Sequence, residues 1–209
     1  HHILGRETCL APVTWPKNGW PVVNGNGTAR VEMTCPTLPL KPFPKAPGRT
    51  EFDTGKPGLE WNFIHVPKKD RDFYKIQQGV LKVTGLANQI GDQESPAFIG
   101  RRLQHMDFSA TTSMNFHPEN ENEQAGLTLL NNGQHFDLVV RKSGDKRILY
   151  AQLQFGSILY KSKEVVLQPG PVKLRISGAT DTFTFSYAQS GKFIDIETVD
   201  SRYLSTETV

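Results

Sequence analysis

Strict alternation of apolar and polar side chains recurs along the second half of this chain, and no other feature narrows its fold as much. Over 180–187, Phe183, Phe185 and Tyr187 fall on one face, and Thr182, Thr184 and Ser186 on the other. Over 171–177, Val172, Leu174 and Ile176 oppose Lys173 and Arg175. The stretch 134–142 aligns Phe136, Leu138 and Val140, and 148–155 aligns Leu149, Ala151, Leu153 and Phe155. A period of two places successive side chains on opposite faces of a strand, so each segment reads as a half-buried strand. Between them stand Asn131-Asn132-Gly133, Ser143-Gly144-Asp145, Gln168-Pro169-Gly170 and Ser190-Gly191, which is turn chemistry. Strands recurring about every 8 to 12 residues point to an antiparallel sandwich. No segment carries a 3.6-residue apolar period, so helix is expected to be nearly absent. The predicted fold is all-β, two curved antiparallel sheets packed face to face as a jelly roll.

Three regions separate by composition. Residues 1–35 hold two of the three tryptophans, Trp15 and Trp20, and the turn cluster Asn24-Gly25-Asn26-Gly27. Residues 36–49 carry Pro36, Pro39, Pro42, Pro44 and Pro47, a density that excludes helix and central strand. This stretch reads as an extended linker, with Leu38, Leu40 and Phe43 lying against a surface. From Thr50 to the end, 50–209, strand is expected to follow strand. Leu59, Trp61 and Phe63 share one face, which makes Trp61 a core residue.

The 24 Lys and Arg nearly balance 21 Asp and Glu. The densest basic stretch, Lys68-Lys69-Asp70-Arg71-Asp72, is broken by acids, which argues against nucleic acid or an anionic membrane as partner. No apolar run reaches the roughly 20 residues of a membrane span. The opening, His1-His2-Ile3, shows neither signal peptide nor initiator Met, so the chain reads as a piece of something longer, and its compartment stays open. Cys9 and Cys35 are expected to be free thiols.

The front segment is the most specific. It runs Leu4-Gly5-Arg6-Glu7-Thr8-Cys9-Leu10-Ala11-Pro12-Val13, then Trp15 and Gly19-Trp20-Pro21-Val22-Val23-Asn24-Gly25. Further on stand Gly58-Leu59-Glu60-Trp61-Asn62 and Ser95-Pro96-Ala97-Phe98-Ile99-Gly100-Arg101-Arg102. This ordered set resembles the carboxy-terminal part of glycoside hydrolase family 43, the β-xylosidases and α-L-arabinofuranosidases. The resemblance implies that residues 1–35 are the tail of a five-bladed catalytic β-propeller, with Trp15 and Trp20 at its junction with the sandwich. It implies that 50–209 form a concanavalin-like accessory sandwich lacking its last, closing strand. It implies a parent acting on xylo- or arabino-oligosaccharides, with the catalytic propeller as the sandwich's partner. Arg6 is the one substrate-binding residue it carries over, a planar fork of donors suited to adjacent sugar hydroxyls.

Glycoside hydrolysis generally needs two carboxyl groups flanking the scissile bond. In the family these come from earlier blades. Here Asp53, Asp137 and Asp195 read as single carboxylates, and Glu119, Glu121 and Glu123 as a solvated run. No catalytic residue is therefore assigned. His65, His105, His117 and His135 are scattered without metal-ligand spacing. No cofactor is assigned, although Asn115, His117, Glu119, Asn120, Glu121 and Asn122 supply oxygen donors of the kind calcium takes. Three functions compete: an accessory domain supporting the propeller, a non-catalytic carbohydrate-binding module, and an assembly domain for oligomers.

Overall fold

The computed structural model describes residues 3–5, 8–30, 32–44, 47–65 and 73–205. The chain divides into two compact units, one of residues 6–50 and one holding the chain's start up to Gly5 together with everything from Glu51 on.

Within 6–50 the only ladder among the described residues pairs β1 (Val13–Thr14) with β2 (Val22–Val23), antiparallel. The Asn/Gly cluster turns as expected. Asn24 takes φ 53°, with Gly25 and Gly27 also at positive φ. The buried Asn24 side chain donates to the Thr28 carbonyl at 2.9 Å. The proline-rich stretch forms no strand or helix in its described residues. Leu40 and Phe43, expected to lie against a surface, are 93% and 95% exposed. Trp15 and Trp20, placed at a junction by the resemblance, are exposed too. Cys9 and Cys35 are free and exposed.

In the larger unit the expected run of strands is late to begin. Before Phe108 the described residues form only β3 (Trp61–Asn62) against β6 (Gly100–Arg101), and a short hairpin of β4 (Tyr74–Gln77) and β5 (Val80–Val83). Gly85, Gly91 and Pro96 interrupt this region, and such residues break ladders. Leu59 is fully exposed, because the strand starts only at Trp61. Trp61 is half-buried beside Phe52, ring centroids 5.4 Å apart, and is not part of the main core.

From Phe108 the sandwich is regular. One sheet has the order β11-β10-β9-β8, with β12 also on β10. Its strands are β8 (Gln124–Asn131), β9 (Gln134–Ser143), β10 (Lys146–Phe155), β11 (Ile158–Lys161) and β12 (Val165–Leu167). The other has the order β15-β14-β13-β7, from β7 (Phe108–Met114), β13 (Val172–Ala179), β14 (Thr182–Ala188) and β15 (Ile194–Asp200). All pairings are antiparallel. The inward faces are the alternating sets read from the sequence: Phe136, Leu138 and Val140 with Leu149 and Ala151, against Val172, Leu174, Ile176, Phe183 and Phe185, all at or below 1% exposure. Each large apolar side chain buried there contributes about 1.5–3 kcal/mol. A one-residue slip would turn the whole set to solvent, so burial fixes the register. Among the described residues there is no α-helix, only a 3-10 turn, η1 (Ser201–Leu204), which sinks Leu204 into the core.

Candidate functional site

One hydrogen-bonded polar constellation lies on the outer face of the five-stranded sheet. Phe136, Leu138 and Val140 point inward, so the alternate residues His135, Asp137, Val139 and Arg141 point outward. On β10 the outward set is Ile148, Tyr150, Gln152 and Gln154, opposite them in register. Asp137 stands between Thr128 and Gln152. With its proton on Nδ1, His135 donates to Asp137 Oδ2 at 2.6 Å, and Gln152 Nε2 donates to the same oxygen at 3.3 Å. The other oxygen, Oδ1, is buried without a partner.

Next to this group a small apolar cluster of Val139, Ile148 and Tyr150 is buried on the same outer face. Two cations cover it. The Arg141 guanidinium sits 5.8 Å and the Lys161 ammonium 5.3 Å from the Tyr150 ring centre. Such contacts desolvate the ring while the charged heads stay wet. Burial pushes the Tyr150 phenol above its ordinary value. Arg141 also pairs with Glu164 at 3.5 Å.

A second constellation stands on the outer face of the four-stranded sheet. Ser186, fully buried at an irregularity between β14 and β15, donates to Asp195 Oδ1 at 2.7 Å. Arg175 donates to Ser186 Oγ at 3.1 Å and lies 4.1 Å from the Phe193 ring centre.

The residues singled out by sequence thus go to separate places. Arg6 lies outside the described residues, as do Lys68, Lys69, Asp70, Arg71 and Asp72. Asp53 is in an exposed turn, Asp137 on one sheet and Asp195 on the other. The hydrogen-bond partners of Asp137 are an imidazole and an amide, not a second carboxyl. That arrangement holds groups in place but offers no acid and base flanking a bond. The acidic loop is tied partly to itself and partly to the β9–β10 turn. Glu123 accepts from Asn120 Nδ2 and from the Glu119 backbone N–H, both at 2.7 Å, which holds its carboxyl below the usual range. Glu121 accepts from the Gly144 N–H at 3.0 Å. Among the described residues no three His, Cys, Asp or Glu side chains converge as a metal cage would need. The His135–Asp137 pair escaped the sequence reading, which took both residues singly. Its signal was the i, i+2 spacing on a strand whose other face is apolar.

The stacked antiparallel sheets and their hydrogen-bonded outer faces define a concanavalin-like β-sandwich. The chain belongs to the family of β-xylosidase C-terminal concanavalin A-like domains, whose model matches residues 49–209. It is 32% identical over 210 residues to the non-reducing end α-L-arabinofuranosidase BoGH43B of Bacteroides ovatus, covering 99% of this chain and 39% of that protein. A xylosidase/arabinosidase of Butyrivibrio fibrisolvens is 32% identical over 166 residues, 77% of this chain and 31% of that one. Among solved structures, the Bacteroides ovatus xyloglucan PUL GH43B superposes with a TM-score of 0.90 at 31% identity, over 100% of this chain and 42% of its own. A xylan β-1,4-xylosidase from Bacillus halodurans shares the fold, with a TM-score of 0.85 at 23% identity over 94% of this chain and 39% of its own. The chain spans about two-fifths of the first of these relatives.

Proposed function

We propose that this chain serves as the carboxy-terminal accessory part of a longer glycosidase that removes xylose or arabinose units from xylo- or arabino-oligosaccharides. The observation that carries this reading is the family match over 49–209 in a chain that spans only 39% of its arabinofuranosidase relative. In this reading residues 1–35 are the tail of the catalytic propeller, 36–49 connect, and 50–209 support the propeller. A further strand then closes the sandwich in the parent. The carboxyl pair for hydrolysis belongs to the propeller, which leaves the isolated chain without activity.

The test is an assay of this chain and of its full-length parent on aryl β-xyloside and aryl α-L-arabinofuranoside. Turnover by the parent and none by the chain is expected, and equal turnover by both would overturn the reading. Arg6 is proposed to donate to the sugar hydroxyls in the parent. Hydrogen bonds from a charged donor contribute about 1.5–3 kcal/mol, so Arg6→Ala in the parent should lower kcat/KM by roughly 10- to 100-fold. An unchanged kcat/KM would remove Arg6 from the site. No cofactor enters this scheme, and EDTA should leave the thermal midpoint of the chain unchanged. A lower midpoint restored by calcium would instead place an ion at the 115–122 loop.

A further inference from the structure

We infer that the fold selects Asn132, out of four Asn-Gly pairs, for a spontaneous covalent modification: loss of its side-chain amide as ammonia through a cyclic imide formed with Gly133. The pairs are Asn18-Gly19, Asn24-Gly25, Asn26-Gly27 and Asn132-Gly133. Glycine after asparagine is the reactive combination because no Cβ shields the attacking nitrogen. The Gly133 amide gives its proton to hydroxide, and its nitrogen attacks Asn132 Cγ. An N–Cγ bond forms, the Cγ–Nδ2 bond breaks, and Nδ2 leaves as ammonia with a proton from water. Water then opens the five-membered imide at either carbonyl, giving an aspartyl or an isoaspartyl residue. Nothing is oxidised or reduced.

Local sequence does not rank the four pairs, and neither does crowding. All four glycines take positive φ, and a Cβ on any of them would meet nothing within 4 Å. Hydrogen bonding separates them. The Gly19 N–H donates to the Pro16 carbonyl at 3.0 Å, and the Gly27 N–H to the Val23 carbonyl at 2.7 Å. Asn26 is held a second time, since its Oδ1 accepts from the Thr28 N–H at 3.0 Å. Asn24 is buried, and its Nδ2, the leaving group, donates to the Thr28 carbonyl at 2.9 Å. An amide that donates a hydrogen bond resists losing its proton. A side chain tied at its amide cannot swing its Cγ onto the neighbouring nitrogen.

Asn132 escapes both restraints. It and Gly133 are exposed. Among the described residues, neither the Asn132 side chain nor the Gly133 N–H has a hydrogen-bond partner. The turn accounts for this. A two-residue reversal makes Asn131 and Gln134 the last pair of the β8–β9 ladder and leaves its two central residues outside the bonding. The nucleophile and the group it attacks are therefore both free at this one pair. The isoaspartyl product adds an atom to the main chain of a turn whose twist fits its strands at two residues, so the modification acts on the β8–β9 hairpin.

The test is ageing of the purified 209-residue chain in mildly alkaline buffer, once folded and once unfolded in urea. Samples are digested at acid pH, where imide formation stops, and each Asn-Gly pair is followed by peptide mass spectrometry with fragmentation. Enzymatic methylation of isoaspartyl carboxyls identifies the product. In the folded chain Asn132 should convert from amide to acid many-fold faster than Asn18, Asn24 and Asn26, with isoaspartate among its products. In urea the four should convert at comparable rates, because the hydrogen bonds that separate them are gone. Conversion at Asn132 no faster than at the other three in the folded chain overturns the proposal. So does an equal preference for Asn132 in urea, which would place the choice in local sequence. Aspartate without isoaspartate would exclude the imide.

Discussion

Arg147 shows how one side chain can fasten several loops. It stands at the start of β10 and donates from Nη1 to the Phe116 carbonyl at 2.9 Å. From Nη2 it donates to the carbonyls of Gln168 and Gly170, both at 2.6 Å. These acceptors belong to the β7–β8 and β12–β13 connections, whose backbone oxygens need partners when shielded from water. Partial burial lowers the guanidinium pKa, yet it stays charged, and charged donors make the stronger bonds. Arg147→Ala should cost about 2–3 kcal/mol. Urea denaturation followed by circular dichroism would show this as a lower midpoint at unchanged slope. Asp200 gives a second residue-scale expectation. Its carboxyl caps η1 and is held at about 2 by the Arg202 side chain and then by the Arg202 N–H. A folded-state pKa depressed below the ordinary 3.8 means that the stabilisation is complete above that value and is lost as pH falls towards about 2. The stabilities of wild type and Asp200→Asn should therefore differ at neutral pH and converge on acidification through that window. A constant gap down to the lowest pH would contradict the linkage.

At the scale of elements, the β8–β9 hairpin separates two roles of glycine. Asn132 and Gly133 both take positive φ, 52° and 88°, as a two-residue turn matching strand twist demands. A side chain at Gly133 meets no neighbour, so Gly133→Ala should cost only the conformational term, about 1 kcal/mol. At Gly126 a Cβ would fall 2.0 Å from the Leu138 carbonyl oxygen, which is backbone and cannot step aside. Gly126→Ala should therefore force β8 from β9 and cost more, about 2–3 kcal/mol. Equal midpoints for the two variants in one denaturation series would contradict this ordering. The turn was legible in the sequence because Asn-Asn-Gly is local chemistry. The faces of β13 and β14 were legible because one side is dry and the other wet. β9 was only half legible: 136–140 is buried at every position, since Asp137 and Val139 are covered on the outer face as well. The covering residues, Gln152, Arg141 and Lys161, come from elsewhere on the sheet or from the far end of the same strand, so alternation could not announce them. Leu59 failed for the opposite reason, an apparent alternation that continued past the end of the strand.

On the scale of the whole molecule, the division into units makes a claim about cooperativity. The sandwich unit owns nearly all of the core, but it also includes the chain's start, where Ile3 packs partly buried against the main cluster. Residues 6–50 intervene in sequence, and those of them that are described contribute none of the buried core residues. A fragment of residues 49–209 should therefore fold in one cooperative transition. It forfeits the partial burial of one isoleucine, about 1–2 kcal/mol. The full chain with Ile3→Ala should lose a similar amount, and the two losses should not add when the variants are combined, because both remove the same contact. Thermal unfolding followed by circular dichroism on the fragment, the variant and the wild type would decide it. If the fragment is unfolded while Ile3→Ala melts near the wild type, then 6–50 stabilise the sandwich through something other than Ile3. If the fragment matches the wild type, the Ile3 contact contributes nothing, and the β-sandwich is energetically complete from Arg49 onward.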